Sequence, residues 1–179
     1  ALDPVRAQTF GADLESVVLI EPDNMEDALD QMGTAIDSLP KDAGPILLAW
    51  DSLAATPTKK ELEAGLVGGG AIADRARLLS RACRVLGNIV SGSRVAMLIV
   101  NQTRTKMGVM FGDPTTTPGG QGVKFLSSLR LKISGGKAHK GDHGDHLAKD
   151  VLIHAVKNRM GPPWRKCRVR LNYETGWDN

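Results

Sequence analysis

Cysteine is nearly absent from this 179-residue chain: Cys83 and Cys167 stand far apart with no CxxC beside either. That spacing excludes a disulfide framework and a four-cysteine zinc site, and leaves reduced, structural thiols. Long hydrophobic runs are missing too. No stretch approaches the roughly 18 uninterrupted apolar residues of a membrane-spanning helix, and the first residues lack the basic, apolar, small-residue order of a secretory signal. A cytoplasmic location is the default expectation, with no membrane partner. There is no internal repeat. Nor is there a G-x-x-x-x-G-K-[ST] pattern: the nearest approaches, Gly119 to Lys124 and Gly135 to Lys137, have the wrong spacing and context for a phosphate-cradling loop.

What remains is ordinary globular material. Apolar residues make up 41% and charged residues 24%, which excludes disorder and fibrous classes, and the length suits one domain over residues 1–179. The net charge of +3 and pI near 9.0 favour an anionic partner only mildly. Its placement says more. Acids dominate the first 70 residues, whereas Arg75, Arg77, Arg81, Arg84, Arg94, Arg104, Lys106, Lys124, Arg130 and Lys132 crowd the middle. An anion-binding face should come from that section.

The hydrophobic pattern alternates between strand and helix. Ser16 to Ile20 reads as a strand, and Met25 to Leu39 as a helix closed by Pro40. Ile46 to Trp50 reads as a second strand, and Val95 to Val100 as a third. Between these two, Thr56 to Gly70 reads as a loop because of Pro57, Gly65 and the glycines at 68–70. Asp74 to Val90 reads as a long amphipathic helix with Arg77, Arg81 and Arg84 on one side. Gly108 to Gly122 is a long Gly/Thr/Pro loop. Leu129 to Ile133 and Val151 to Val156 read as strands joined by a polar loop, Ser134 to Lys149, and Cys167 to Tyr173 as a last strand. The order implies an α/β fold, a mostly parallel central sheet with an antiparallel C-terminal extension.

Three constellations carry chemistry. The strand Ile46 to Trp50 ends in Asp51 and Ser52, as a nucleotide hydrolase requires to hold magnesium or its water at the sheet's C-terminal edge; strand-terminal aspartates also serve as turn formers and caps. The next strand ends in Asn101 and Gln102, where an amide can sense a γ-phosphate or orient water, or simply stabilise a turn. The segment Asn101 to Gly122 combines Arg104 and Lys106 with an apolar cluster, Val109, Met110 and Phe111, on a glycine-rich tether. Cations there can neutralise phosphates while the apolar tip stacks on bases; the alternative is a loop whose Met110 and Phe111 pack locally. His139, His143 and His146, with Asp142 and Asp145, allow a metal site and so a metal-dependent nuclease, but their glycines and lysine favour a solvated hairpin loop.

The run from Asn101 through Phe125 closely resembles the second DNA-binding loop of bacterial and phage RecA-family recombinases. Ala76 to Leu86, A-R-L-L-S-R-A-C-R-V-L, is similar to the helix after that family's first DNA-binding loop. A-L-D-P at the start, I-L-L-A-W-D-S and V-K-N-R-M-G-P-P-W (Val156 to Trp164) occur in the family's order and near its spacing, so the resemblance covers nearly the whole chain. It implies a RecA-like P-loop ATPase core, incomplete at the N-terminus, with DNA-binding loops at about 61–72 and 103–121.

The resemblance also assigns residues. Asp51 and Ser52 match the end of the family's magnesium-binding strand, so Asp51 is the implied metal-side residue. Gln102 matches the residue that reports the γ-phosphate to the DNA loop, and Asp3 an adenine-side contact. Lys157 and Arg159 match cations that reach ATP from the adjacent subunit. Single-strand contacts are implied at Arg77, Arg84, Arg104 and Lys106, and along the loop at Met107, Gly108, Val109, Met110, Phe111 and Gly112. Thr116, Thr117, Gly119, Gly120 and Gln121 complete that set, and Phe125 matches a subunit-interface position. The chain departs from the family's wording at Arg6, where tyrosine is common near adenine, at Thr115, Pro118 and Arg159.

The implied function is part of an ATP-dependent and Mg2+-dependent homologous recombination protein, which binds single-stranded and duplex DNA, forms a homo-oligomeric filament and promotes strand exchange in repair. In the family the phosphate loop lies upstream of the matched segment, so this polypeptide alone is expected to hydrolyse ATP negligibly. A truncated, non-hydrolysing paralogue that caps or regulates recombinase filaments is the rival expectation.

Overall fold

Ile46–Trp50 (β1) and Val95–Ile99 (β2) pair in parallel, Ile46 opposite Val95 and Trp50 opposite Ile99. Two apolar runs separated by helices can pair this way because the crossover between them is long enough to return the chain to the same edge. The computed structural model describes residues 2–40, 42, 44–65, 72–105, 108 and 115–178. Its contacts divide into two compact units, Ile20–Leu126 and the combination of Ala1–Leu19 with Ser127–Asn179.

In the first unit, Met25–Asp37 (α2) starts at Asn24, whose side chain accepts from the Asp27 amide at 2.9 Å, with Glu26 and Asp27 in the first turn suiting the helix dipole. Its periodic Met25, Ala28 and Met32 bury against Trp50, Leu53 and Leu79 to form the core. Leu79 belongs to Ile72–Ser91 (α4), the long amphipathic helix expected over Asp74 to Val90. The stretch read as a loop after β1 contains a helix instead, Lys59–Ala64 (α3). A capping box explains it: the Thr58 hydroxyl accepts from the Glu61 amide and the Glu61 carboxylate from the Thr58 amide. Arg104–Thr105 (β3) and Thr115–Thr116 (β4) then pair antiparallel, and Gly122–Leu126 (α5) follows.

The second unit opens with Pro4–Thr9 (α1), capped by Asp3, and a 3-10 turn at Leu14–Ser16. The expected strand over Ser16 to Ile20 does not form. Val17 is extended, and Val17, Val18 and Leu19 are exposed, with no ladder partner among the described residues. The remainder is a four-stranded antiparallel sheet of Leu129–Lys140 (β5), His146–Asn158 (β6), Lys166–Asn172 (β7) and Gly176–Asp178 (β8), in that order. Most of the supposed polar loop Ser134 to Lys149 is therefore strand, with register shifts between Gly135 and Ala138 and again at His139. Residues 133–138 are exposed in succession, so both faces of this part of β5 are solvated and polar residues are tolerated on either. No helix among the described residues is long and apolar enough to cross a membrane.

Candidate functional site

The parallel register brings two polar strand tips to one edge. The Val100 amide donates to the Trp50 carbonyl at 2.9 Å and the Leu53 amide to the Val100 carbonyl at 3.0 Å, so Asp51–Ser52 and Asn101–Gln102 leave the sheet side by side. Beneath them Leu53 is fully buried. The Ser52 carbonyl accepts from the amides of Ala55 and Thr56 and from the Thr56 hydroxyl, and Trp50 Nε1 donates to that same hydroxyl at 3.1 Å. The turn is thus held by its own backbone while Asp51 faces solvent.

This edge offers oxygen donors: one carboxylate, one hydroxyl and two amides. Among the described residues no three His, Cys, Asp or Glu side chains gather as a metal cage. Such a donor set fits a Mg2+ ion that keeps several waters and takes its other ligands from a phosphate, as that cation prefers.

Asn101, rather than Gln102, carries the mechanical link at the second tip. Asn101 Nδ2 donates to the Pro118 carbonyl at 2.9 Å, and Asn101 Oδ1 accepts from the Gln102 amide at 2.9 Å. The Gln102 side chain is exposed. The bond reaches across the second loop, whose stem is the β3–β4 pair, Arg104 opposite Thr116. Of the loop residues assigned from the sequence, Lys106, Met107, Val109, Met110, Phe111 and Gly112 lie outside the described residues. Gly108 has a φ of +82.

The loop's return lies flush on α4. Gly119 has a φ of +98, and a Cβ there would sit 3.0 Å from Leu79 and 3.1 Å from Leu53; at Gly120 it would meet Ala76, and at Gly122 the Ser80 backbone. Sequence reasoning attached these glycines to nucleic-acid approach, whereas close packing on α4 already requires them. Along α4, Arg77, Arg81 and Arg84 are exposed on one side. Arg75 points the other way, donating to the Thr56 carbonyl and lying 3.6 Å from Glu61. The first expected loop, 61–72, is helix at Glu61–Ala64, and residues 66–71 lie outside the described ones.

In the other unit, Asp3 accepts from the Val5 and Arg6 amides at 3.0 and 3.2 Å. It lines an open cavity of about 360 Å³ with Arg6, Phe10 and Tyr173. Arg6 is engaged within the chain: its guanidinium lies 5.2 Å from the Phe10 ring centre and donates to the Tyr173 carbonyl at 2.9 Å. Lys157 stands opposite Arg130 on β5, and the Arg159 amide donates to the Ser128 carbonyl. Burial first, and then the charges of Arg159 and Arg130, hold the Lys157 ammonium below its usual pKa. The histidine segment is a hairpin end, with Gly141 donating to the Asp145 carbonyl, and His139 Nε2 lies 2.8 Å from Asp150.

A family model described as the RecA N-terminal domain matches residues 1–178. Protein RecA of Streptococcus agalactiae serotype III (strain NEM316) is 38% identical over 98% of this chain and 46% of its own length. Protein RecA of Ruminococcus albus is 37% identical over 98% of this chain and 43% of its own. The chain thus spans less than half the length of these curated relatives. A crystal structure of the RadB recombinase shares the fold, with a TM-score of 0.63 at 18% identity, over 98% of this chain and 73% of that one.

Proposed function

The chain belongs to the RecA family, and from that premise we propose that it is the ATPase-core segment of a protein that binds single-stranded DNA, assembles as a filament and promotes strand exchange in recombination and repair. The observation that carries this reading is the shared edge of Asp51–Ser52 and Asn101–Gln102, joined through the Asn101–Pro118 bond to the stem of a loop bearing Arg104.

Each residue then has a physical task. Asp51 holds metal-side water or Mg2+ at the strand tip, with Ser52 beside it. ATP with Mg2+ supplies the phosphoryl group whose presence or loss the protein reads. Gln102, exposed at the neighbouring tip, is free of the stem bond that fixes Asn101, so its amide can follow a terminal phosphate without breaking the loop's anchor. A shift of that tip reaches the β3–β4 stem through Asn101. Lys157 and Arg159 offer positive charge to a nucleotide held by a neighbouring protomer, where it stabilises charge on the transferring phosphate. Asp3 caps α1 at the rim of the cavity that would take the adenine side.

On the DNA side, Arg77, Arg84 and Arg104 neutralise phosphates, while Met110 and Phe111 provide an apolar surface for unstacked bases. The test is fluorescence anisotropy of a labelled oligo-dT with this chain. Replacing Arg104 and Phe111 with alanine should weaken binding at least about fivefold, as loss of one stacked base alone is worth ~1–3 kcal/mol. Unchanged affinity would remove the second loop from the DNA site.

A further inference from the structure

Two successive outward positions at the start of α4 carry opposite charges. Asp74 bonds the Lys60 ammonium of α3 on one side and lies 3.6 Å from the Arg77 guanidinium on the other. Lys60 and Arg77 are 67% and 82% exposed, so both reach solvent wherever a polyanion could approach. The neighbouring Arg75 behaves differently. Its side chain is 15% exposed, donates to the Thr56 carbonyl and faces Glu61, the residue that closes the α3 capping box. The contact of α3 with α4 therefore has a second, more buried link through Arg75 besides the Asp74–Lys60 bond.

We infer that Asp74 acts as an internal competitor for nucleic-acid phosphate, pairing with Lys60 and Arg77 in the free chain so that it offsets one of their two charges, and yielding both cations when a single strand docks along α4. This rests on the DNA reading above and deepens it, adding Lys60 to the binding face and giving Asp74 a role in setting affinity. The Lys60 bond and charge hold the Asp74 carboxyl below its ordinary pKa, against burial, with Arg77 adding to the effect. The carboxylate is thus charged across the working pH range and always available to compete.

Solvent-exposed ion pairs are weakly held, so a phosphate exchanges for the carboxylate at little cost. Each cation left paired, however, is one fewer counterion released on binding. The consequence is a lower affinity and a shallower salt dependence than the count of exposed arginines suggests. Asp74 is a positioning residue in this scheme, since it touches the cations and not the strand.

The test is anisotropy with labelled oligo-dT across a series of KCl concentrations, comparing the chain with D74N, D74E and R84A, with thermal melting alongside. D74N should bind about threefold tighter at low salt, with the slope of log K against log salt steeper by about 0.7, the equivalent of one further phosphate for the one negative charge removed. D74E should behave as the parent, and adding K60Q and R77Q to D74N should abolish the gain. Equal or weaker binding by D74N at an unchanged melting temperature would overturn the inference, while weaker binding by R84A would leave the DNA face standing. No loss in R84A would sink the α4 reading itself. Should D74N melt early, D74Q carries the same comparison, because glutamine is also neutral and a better helix former than asparagine.

Discussion

Asn101 Nδ2 reaches across the second loop to the Pro118 carbonyl at 2.9 Å, so the tip of β2 and the return of the loop move as one piece. Removing that donor in N101A loses a net ~0.5–1.5 kcal/mol. The expected result is a lower melting temperature, faster proteolytic cleavage between residues 103 and 118, and weaker oligo-dT binding. Q102A, which leaves this bond intact, should cleave at the parental rate.

Gly119 and Gly108 both have positive φ, at +98 and +82, but only Gly119 is packed against neighbours. G119A forces Leu79 or Leu53 aside in the core and should cost ~1–3 kcal/mol in addition to backbone strain. G108A meets open space and should cost only the strain of a left-handed backbone, ~1–2 kcal/mol. Urea unfolding of the two variants separates these values; equal midpoints would disprove the packing argument.

Cys83 is buried in α4 and burial raises its thiol pKa, whereas Cys167 on β7 is exposed. The thiolate is the reactive form. Iodoacetamide at neutral pH should therefore label Cys167 first and Cys83 only on unfolding, as peptide mass mapping would show. Early labelling of Cys83 would contradict its placement.

Asp150 is held below its ordinary pKa chiefly by the His139 bond, with Arg170 adding to it against burial. A carboxyl with a depressed folded pKa binds fewer protons folded than unfolded. Its stabilisation is complete above the unfolded value of 3.8 and is lost as pH falls through the lower folded value. Acid unfolding of D150N should show a shallower loss of stability in that window than the parent. An identical profile would mean that the His139–Asp150 contact does not form in solution.

The parts of the fold legible in the residues were those whose pattern is local. Met25, Ala28, Met32 and Ile36 repeat at helical spacing and form α2's buried side; Ile46–Trp50 and Val95–Ile99 are continuous apolar runs and form β1 and β2. The capping box at Thr58 is written in the residues as T-K-K-E, a signal that the loop reading, made from Pro57 and the following glycines, did not use. Around β5 and β6, polar residues resembled a loop because this stretch is solvated, and hairpin pairing such as His139 opposite Ala148 and Ser134 opposite Leu152 decided that it extends.

The resemblance of motifs along the chain was sufficient to place it in its family, because those motifs are runs of neighbouring residues. Composition and order likewise determined where the cations and glycines lie. Tertiary structure decided what each is occupied with. Arg6 lies over Phe10, Arg75 turns inward to Thr56, Gly119 is pressed on Leu79, and Asn101 rather than Gln102 ties down the loop. Hydrogen bonds and close contacts act over about 3 to 4 Å in space, between residues that need not be near in the chain. Val17 to Leu19 make the same point from the other side: β-branched residues favour an extended backbone, but a strand exists only where a second backbone is within hydrogen-bonding reach.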